Sequence, residues 1–400
     1  MERGRALATL APAGSVPAVA SLRPRAARLG AYVHLPFCVE RCGYCSFNTA
    51  PYTPGGQDRF LAALLREWDL FHAAPWAGRV QLDTLFLGGG TPSLLTVDQM
   101  AGLLGRIGAR FAVEPGAEVT VECNPDDVTR ERVAGYRGAG VTRVSLGVQS
   151  LDDAILPILD RRHSARQARA AFAAAREAGA DNISVDLIYG LPGLDLATWT
   201  ATVREVIAWG PDHLSAYGLT LDEGSLWHAR GVAGLPPEEA VTAQYWALAE
   251  AAAGAGFEHY EVSNYARPGF RSRHNQRYWR WEEYLGLGPG ACGFLGHVRY
   301  ANVKAVERYT TLVEAGQLPL ATHEVLTSRQ ALAEQLILGL RTSDGIEAAR
   351  LAERCDLERG RLPEVLDAWR ERGLLADPEG RVRLTEAGFL LSDALFTELL

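Results

Sequence analysis

The chain has 400 residues, of which 48% are hydrophobic and 22% are charged, as is usual for a globular protein. Its net charge of −8 argues against nucleic acid as a partner, because nucleic-acid binders usually carry a basic face. No run of residues is long and apolar enough to span a bilayer. We therefore expect a cytoplasmic protein whose membrane contacts, if it has any, are peripheral.

The first 29 residues are rich in Ala, Arg and Pro and contain one acidic residue, Glu2. An organellar transit peptide has a similar composition, but a secretory signal would need a hydrophobic core, and none precedes Ser15. A disordered extension is the simpler interpretation, and we predict one over residues 1–29.

Strand and helix patterns then alternate along the chain. Apolar runs bounded by turn residues predict six strands, at 31–36, 82–87, 118–123, 141–148, 182–190 and 213–219. Helical patterns predict helices at 57–72, 96–111, 127–138, 151–160, 164–178 and 195–209. Such alternation predicts an α/β fold with a parallel sheet, either doubly wound or curled into a (β/α)6 partial barrel, and we favour the partial barrel.

The remainder of the chain has a different pattern. Residues 236–256 are Ala-rich and helical, residues 257–300 are aromatic and Gly-rich, and the pattern from 303 onward is mainly helical. The last stretch predicts two helices and a hairpin around Asp377–Gly380, which resembles a small winged-helix module. We predict two domains, 30–302 and 303–400.

Chemically unusual residues follow the ends of the predicted strands, where the catalytic groups of parallel α/β barrels gather. They are three cysteines after the first strand, Gly88–Pro92 after the second, Glu122–Pro125 at the third, Gln149 at the fourth, Asp186 at the fifth, and Leu219 and Thr220 at the sixth. The sequence therefore predicts one site to which six loops contribute.

Cys38, Cys42 and Cys45 are the strongest signal in the sequence. Their thiolates can reach three corners of an iron–sulfur cube. A structural zinc site would need a fourth ligand, and no Cys or His follows directly; His34 precedes them and is better placed to support a ligand. We predict a [4Fe–4S] cluster whose fourth iron is free to chelate S-adenosylmethionine.

Cys123, Cys292 and Cys355 are scattered, and we expect them to be structural.

The cysteine spacing, with Tyr44 inside it, resembles the radical S-adenosylmethionine superfamily. The resemblance implies that an electron from the cluster splits the sulfonium into methionine and a 5′-deoxyadenosyl radical. It also implies cofactor contacts from matching positions, namely Tyr32, Tyr44, Gly89, Gly90, Thr91, Glu122, Gln149, Arg161 and Asp186. From the residues alone, Arg162 competes with Arg161 for this role, and a simple strand cap is the alternative interpretation of Asp186.

The motifs YVHLPFC, FLGGGTPS, ECNP, SLGVQS and DLIYGLP resemble the oxygen-independent coproporphyrinogen III oxidase group. The oxidases of this group have a fourth cysteine where this chain has Phe47, and a longer N-terminal segment. The HNxxYW pattern at His274–Trp279 instead resembles the haem-chaperone branch of the group, in which it is associated with haem binding.

This resemblance implies a chaperone that binds haem and passes it to an acceptor protein, with an unidentified electron donor. His274 is the candidate haem contact, although a hydrogen-bonded loop histidine is the simpler interpretation of that residue. A true oxidase, which decarboxylates two propionates of its porphyrinogen substrate, is the main alternative. A radical methylase or cyclopropanase is a third possibility, and whether the chain is an enzyme stays open.

Overall fold

The computed structural model describes residues 22–53, 55–349, 362–377 and 380–399. The strands are, in chain order, β1 (Arg28–Leu35), β2 (Phe37–Cys38), β3 (Ala50–Pro51), β4 (Gln81–Gly89), β5 (Ala112–Cys123), β6 (Arg143–Gln149), β7 (Ile183–Tyr189), β8 (His213–Gly218), β9 (Glu258–Glu261), β10 (Asn264–Ala266), β11 (Tyr284–Leu287), β12 (Cys292–Leu295), β13 (Val298–Asn302), β14 (Leu320–Val325), β15 (Ile346–Glu347), β16 (Leu375–Ala376) and β17 (Arg381–Leu384).

The helices are, in the same order, α1 (Gly56–His72), α2 (Val97–Gly108), α3 (Arg130–Gly138), α4 (Ala165–Glu177), α5 (Leu196–Ala208), α6 (Leu226–Arg230), α7 (Glu238–Gly254), α8 (Arg273–Trp279), α9 (Val306–Glu314), α10 (Ser328–Leu340), α11 (Leu362–Glu371), α12 (Glu386–Leu390) and α13 (Ser392–Glu398).

One large sheet organises the fold. Twelve strands of the described residues pair in the order β14-β13-β12-β11-β1-β4-β5-β6-β7-β8-β10-β9. The seven adjacent strands β11-β1-β4-β5-β6-β7-β8 are mutually parallel, and antiparallel pairs extend the sheet beyond β11 and beyond β8. The predicted α/β fold with its six parallel strands is therefore confirmed, and β11 adds a seventh; closure into a partial barrel stays a prediction.

The two faces of the parallel strands differ in chemistry. Val119 and Val121 of β5 belong to the main hydrophobic core, which α1–α5 also line. On the opposite face, buried polar side chains stand at neighbouring register positions, because Ser145 pairs with Ser184, and Ser184 pairs with His213. One face thus stabilises the fold, and the other offers polar groups for a site.

The predicted helix over 151–160 is wrong. These residues form a run of turns instead, with Pro157 inside it and Asp160 in the left-handed region at φ 55°. Proline cannot donate the helical hydrogen bond, which explains why an apolar pattern here does not become a helix.

The chain is ordered earlier than the predicted extension implies. Leu22 is fully buried, and the carboxylate of Glu283 accepts hydrogen bonds from the backbone N–H groups of Arg25 and Ala26 at 2.7–3.0 Å. The prediction for residues 1–21 lies outside the described residues.

The C-terminal part has its own small core. Leu366 and Trp369 of α11 pack with Leu340 and Phe396 against a three-stranded sheet of order β15-β17-β16. The hairpin predicted around Asp377–Gly380 corresponds to the β16–β17 pair. Because β14 still pairs with β13 in the large sheet, the predicted division at residue 303 falls between two strands of one sheet.

Among the described residues, no helix is long and apolar enough to cross a membrane.

Trp68 tests the main core. It is 0% exposed on α1 and packs edge-on against Phe111 at 5.4 Å between ring centroids. We expect Trp68→Ala to lower the free energy of unfolding by about 3–5 kcal/mol in chemical denaturation. The matched control is Trp246→Ala on α7, where the side chain is 37% exposed and the loss should be about 0.5 kcal/mol or less. Equal losses in the two variants would contradict the packing described.

Candidate cofactor site

The cysteine loop and the glycine turn are joined because β1 and β4 are neighbours in register. Leu35 pairs with Gly89 at the ends of the two strands. Beyond that pair, the Gly90 N–H donates to Leu35 O at 2.8 Å and the Thr91 N–H donates to Phe37 O at 2.9 Å. The hydroxyl of Thr91 then donates to Cys38 Sγ at 3.3 Å, so the turn directly supports the first cysteine.

Glycine is required in this turn for two separate reasons. Gly89 has φ 111°, a left-handed conformation that favours glycine. At Gly90, a Cβ atom would lie 2.6 Å from the backbone carbonyl of Pro36 and 2.8 Å from that of Phe37. The glycines thus let the turn pack directly against the start of the cysteine loop.

A cavity of about 450 Å³ opens at the C-terminal ends of the parallel strands. This volume is within the range of small-molecule sites. We call it the apical cavity. Tyr32 and His274 do not line it. All the other predicted cluster and cofactor residues do: Cys38, Cys42, Tyr44, Cys45, Gly89, Gly90, Thr91, Glu122, Gln149, Arg161 and Asp186.

The three cysteines of the apical cavity suit a cluster better than a single ion. No group of three or more His, Cys, Asp or Glu side chains in the described part of the chain is arranged to hold one metal ion. The thiolates of an iron–sulfur cube bind different irons and need not converge on one point. Burial raises the pKa of Cys38, and raises that of Cys45 to about 11, so a metal bound by these thiolates would have to displace the thiol protons.

Arg161, not Arg162, faces the cysteines. Its guanidinium donates to Asn124 Oδ1 at 3.0 Å and to Gly147 O at 2.5 Å, and it reaches Cys42 Sγ at 3.8 Å. Its Nε is buried without a hydrogen-bond partner among the described residues. Arg162 is instead paired with Asp126. A bound anionic group, such as a carboxylate, would fit the unpaired Nε of Arg161.

Two partly buried carboxylates occupy the wall of the apical cavity. Glu122 accepts the Gly89 N–H at 2.9 Å, and burial, followed by the charge of Asp186, raises the pKa of Glu122 to about 7. Asp186 accepts hydrogen bonds from the hydroxyls of Ser145 and Ser184 at 3.0–3.2 Å. Burial raises its pKa as well, despite these donors. Asp186 therefore does more than cap its strand, because it lies in the cavity beside a second carboxylate.

Gln149 marks the end of β6 with an unusual backbone conformation. It has φ 65°, one of few left-handed residues other than glycine in the described chain. A Cβ atom at Gly147 would lie 3.1 Å from both Gln149 Nε2 and Arg161 Nη2, so both side chains cross the strand at this glycine.

Tyr32 supports the cysteine loop from behind. Its hydroxyl and His34 Nδ1 are 3.0 Å apart, and His34 Nε2 lies 2.7 Å from the carbonyl of Asn48. A carbonyl only accepts, so Nε2–H donates to Asn48 and the Tyr32 hydroxyl donates to Nδ1. His34 thus has the supporting role expected from the sequence, and Tyr32 lies outside the lining of the apical cavity.

His274 is enclosed beneath the sheet. It is 0% exposed, its Nδ1 lies 2.9 Å from Thr84 Oγ1, and its Nε2 lies 2.8 Å from the hydroxyl of Tyr278. Burial lowers its pKa to about 3, so the ring is neutral. Both ring nitrogens are engaged, so this arrangement is that of a hydrogen-bonded structural histidine.

Asp160 and Tyr217 are among the residues of the apical cavity that sequence reasoning missed. Asp160 Oδ2 accepts the Gly43 N–H at 2.9 Å and so fixes the cysteine loop. Its left-handed φ of 55° suits aspartate, but no motif marks it. Tyr217 lies near the end of β8, where the strand-end rule would have found it. Of the other cysteines, Cys123 is buried as expected, Cys292 is exposed on β12, and Cys355 lies outside the described residues.

Similar proteins agree with this geometry. Residues 32–206 match the Radical SAM superfamily, and residues 326–391 match the HemN C-terminal domain. The chain is 40% identical over 379 residues to the protein named Heme chaperone HemW of Mycobacterium tuberculosis, covering 93% of this chain and 94% of that protein. The HemW protein of Bacillus subtilis is 35% identical, over 92% of this chain and 97% of its own.

The chain belongs to the HemW family, within the radical S-adenosylmethionine superfamily. One similar solved structure, the coproporphyrinogen III oxidase HemN of Escherichia coli, has a TM-score of 0.82 at 24% identity, covering 96% of this chain and 92% of that one. That likeness shows a shared fold. The HemN C-terminal match begins at residue 326, directly after β14.

Gly90 tests the contact between the turn and the cysteine loop. We expect Gly90→Ala to lower the free energy of unfolding by about 1–3 kcal/mol, because the new methyl group must displace the backbone of Pro36. Iron bound after anaerobic reconstitution should fall with it. In the control Gly102→Ala, nothing lies within 4 Å of the new Cβ, and the helix should gain up to about 1 kcal/mol. Full iron binding by Gly90→Ala would contradict this role.

Proposed function

We propose that this protein is a haem chaperone that holds a [4Fe–4S] cluster and S-adenosylmethionine in the apical cavity and passes haem to an acceptor protein. The observation that carries the proposal is the arrangement of three cysteines beside a glycine turn, an arginine and two partly buried carboxylates in one cavity. The names of the HemW relatives supply the haem-chaperone part.

The residues fit the cluster and the cofactor. Cys38, Cys42 and Cys45 would hold three irons, and the fourth iron would take the amino and carboxylate groups of S-adenosylmethionine. When bound, this pair supplies one-electron chemistry at the sulfonium. Glu122 and Asp186 would meet the cationic and hydroxyl groups of the cofactor, and Arg161 would pair with its carboxylate through the unpaired Nε.

Phe47 favours a chaperone over an oxidase. It occupies the position of the fourth cysteine in the oxidase-like pattern, lines the apical cavity, and is 62% exposed. An exposed aromatic side chain at a cavity mouth offers an apolar surface to a flat ligand such as haem, and cannot bind iron. This residue therefore supports haem contact near the cavity.

The remaining parts of the proposal concern partners and place. A chaperone needs a protein that accepts the haem, and reduction of the cluster needs an electron donor. We propose that the protein works in the cytoplasm, since clustered thiols stay reduced there.

Haem titration tests the proposal. We expect the anaerobically reconstituted protein to bind haem stoichiometrically, with an affinity that changes when S-adenosylmethionine is added. Cys42→Ala should lose the effect of S-adenosylmethionine, whereas Cys292→Ala, at an exposed cysteine outside the lining of the apical cavity, should retain it. Absence of stoichiometric haem binding would rule out the chaperone function.

His274→Ala separates a haem ligand from a structural residue. Because both ring nitrogens of His274 are engaged within the fold, we expect the variant to melt at a lower temperature and to keep the absorption spectrum of bound haem. The loss of two buried hydrogen bonds corresponds to about 1–3 kcal/mol of stability. A changed haem spectrum at unchanged stability would instead show direct haem contact by His274.

A further inference from the structure

A chain of hydrogen bonds leads away from Asp186 through the interior of the sheet. Ser184 Oγ lies 3.2 Å from Asp186 Oδ1 and 2.8 Å from His213 Nδ1. His213 Nε2 lies 2.8 Å from the hydroxyl of Tyr260, and this oxygen accepts the Ser272 N–H at 3.2 Å. Ser184, His213, Tyr260 and Ser272 are all fully or almost fully buried, so these hydrogen bonds lie within the protein interior.

The donor and acceptor of each hydrogen bond in this series follow from its two ends, the Ser272 N–H and the Asp186 carboxylate. A backbone N–H can only donate, so the Tyr260 oxygen accepts the hydrogen bond from Ser272. The Tyr260 hydroxyl is buried, and among the described residues His213 Nε2 is the acceptor within reach of its own proton, so Tyr260 donates to His213 Nε2. His213 is neutral, because burial lowers its pKa well below the usual value, and its single proton must then sit on Nδ1 and point at Ser184. Ser184 accepts that bond, so its own proton is left for the Asp186 carboxylate at 3.2 Å, a charged and therefore stronger acceptor than the Ser215 hydroxyl at 3.3 Å.

We infer that His213 and Tyr260 are positioning residues for the cofactor site, which act by fixing the direction in which Ser184 donates, so that Asp186 is held as a hydrogen-bond acceptor. Neither residue lines the apical cavity. The inference rests on the proposed function, because it assumes that Asp186 contacts S-adenosylmethionine.

Loss of the Tyr260 hydroxyl would release this control. His213 could then adopt the other tautomer, and Ser184 would donate to His213 Nδ1 instead of Asp186. Asp186 would lose one of its donors and hold a proton up to a higher pH, because a hydrogen bond to the charged form favours ionisation. Cofactor binding that needs an ionised Asp186 should then weaken on the acidic side.

Other charges face this chain and would titrate in the same experiment. Asp186 is influenced by Glu122 and Cys123 of β5, Arg143 of β6 and Tyr217 of β8, and Tyr260 by Glu118, Glu261 and Arg143. The ring of Tyr260 also lies 5.4 Å from the Arg271 guanidinium carbon. Glu122, with a pKa near 7, is the main competing titration, so Asp186 must be observed separately.

This series of hydrogen bonds also connects the apical cavity to the residues that follow α10. The Ser343 N–H donates to Tyr260 O at 2.9 Å, and the Val262 N–H donates to Arg341 O at 3.1 Å. Residues that follow α10 therefore hold the strand that carries Tyr260. A shift of the residues that follow α10 would move Tyr260 and so alter the hydrogen bonding of Asp186.

The test compares Tyr260→Phe with the wild type in two measurements. The first is the S-adenosylmethionine dissociation constant of the cluster-loaded protein between pH 6 and 9. We expect Tyr260→Phe to bind about tenfold more weakly near pH 6.5 and equally at pH 9, the factor for one hydrogen bond to a charged group. The same weakening at every pH, or no change, would overturn the inference.

The second measurement does not need the cofactor. Infrared difference spectra of the protein without cluster would follow the protonated carboxyl band of Asp186, assigned by its absence in Asp186→Asn. The band should persist to a higher pH in Tyr260→Phe, and an unshifted band would overturn the inference. If the wild type fails to bind S-adenosylmethionine, the proposed function fails, and the infrared result alone decides the inference.

Two further variants keep the test decisive. Ser184→Ala removes the donor to Asp186 directly and should give the same shift of the Asp186 carboxyl band to higher pH. It replaces Tyr260→Phe in the test if that variant does not fold. Tyr245→Phe is the matched control, since its hydroxyl donates at 2.7 Å to Glu386, a carboxylate outside the apical cavity. Tyr245→Phe should leave both measurements unchanged, and a shift equal to that of Tyr260→Phe would overturn the inference.

Discussion

The site depends on one close contact between two backbones. The turn after β4 packs against the residues that follow β1, at Gly90 and Pro36, and strand-like hydrogen bonds continue through it to Thr91. This contact places the Thr91 hydroxyl on Cys38 and fixes where the cysteine loop leaves the sheet. The positions of the other cavity residues follow from the register of the parallel strands, which end at the same edge.

The sheet separates stability from chemistry by its two faces. Valine and leucine side chains on one face pack against helices, while serines, histidines and carboxylates occupy the other. Buried polar groups are costly unless they are hydrogen-bonded, and here Ser145, Ser184 and His213 form hydrogen bonds from strand to strand that end on Asp186. The network that lowers the cost of burying these polar groups also determines which of them donate hydrogen bonds toward the apical cavity.

Much of this arrangement was predictable from the sequence, because it follows from local patterns and strand ends. The cysteine loop, Gly89–Thr91, Glu122, Gln149, Arg161 and Asp186 meet in one cavity as expected. Long-range packing was not predictable. His274 sits in a motif that resembles a haem contact, yet its burial against Thr84 depends on how α8 folds under the sheet. Likewise, Asp160 is positioned by a turn, although the apolar pattern of the neighbouring residues predicts a helix.

The central claim is that three cysteines hold a cluster with one iron open to S-adenosylmethionine. The most direct test is electron paramagnetic resonance of the reconstituted, reduced protein, recorded before and after S-adenosylmethionine is added. The account predicts the signal of a reduced [4Fe–4S] cluster whose shape changes on addition, because the cofactor becomes a ligand of the open iron. A cluster signal that is identical with and without S-adenosylmethionine would contradict it.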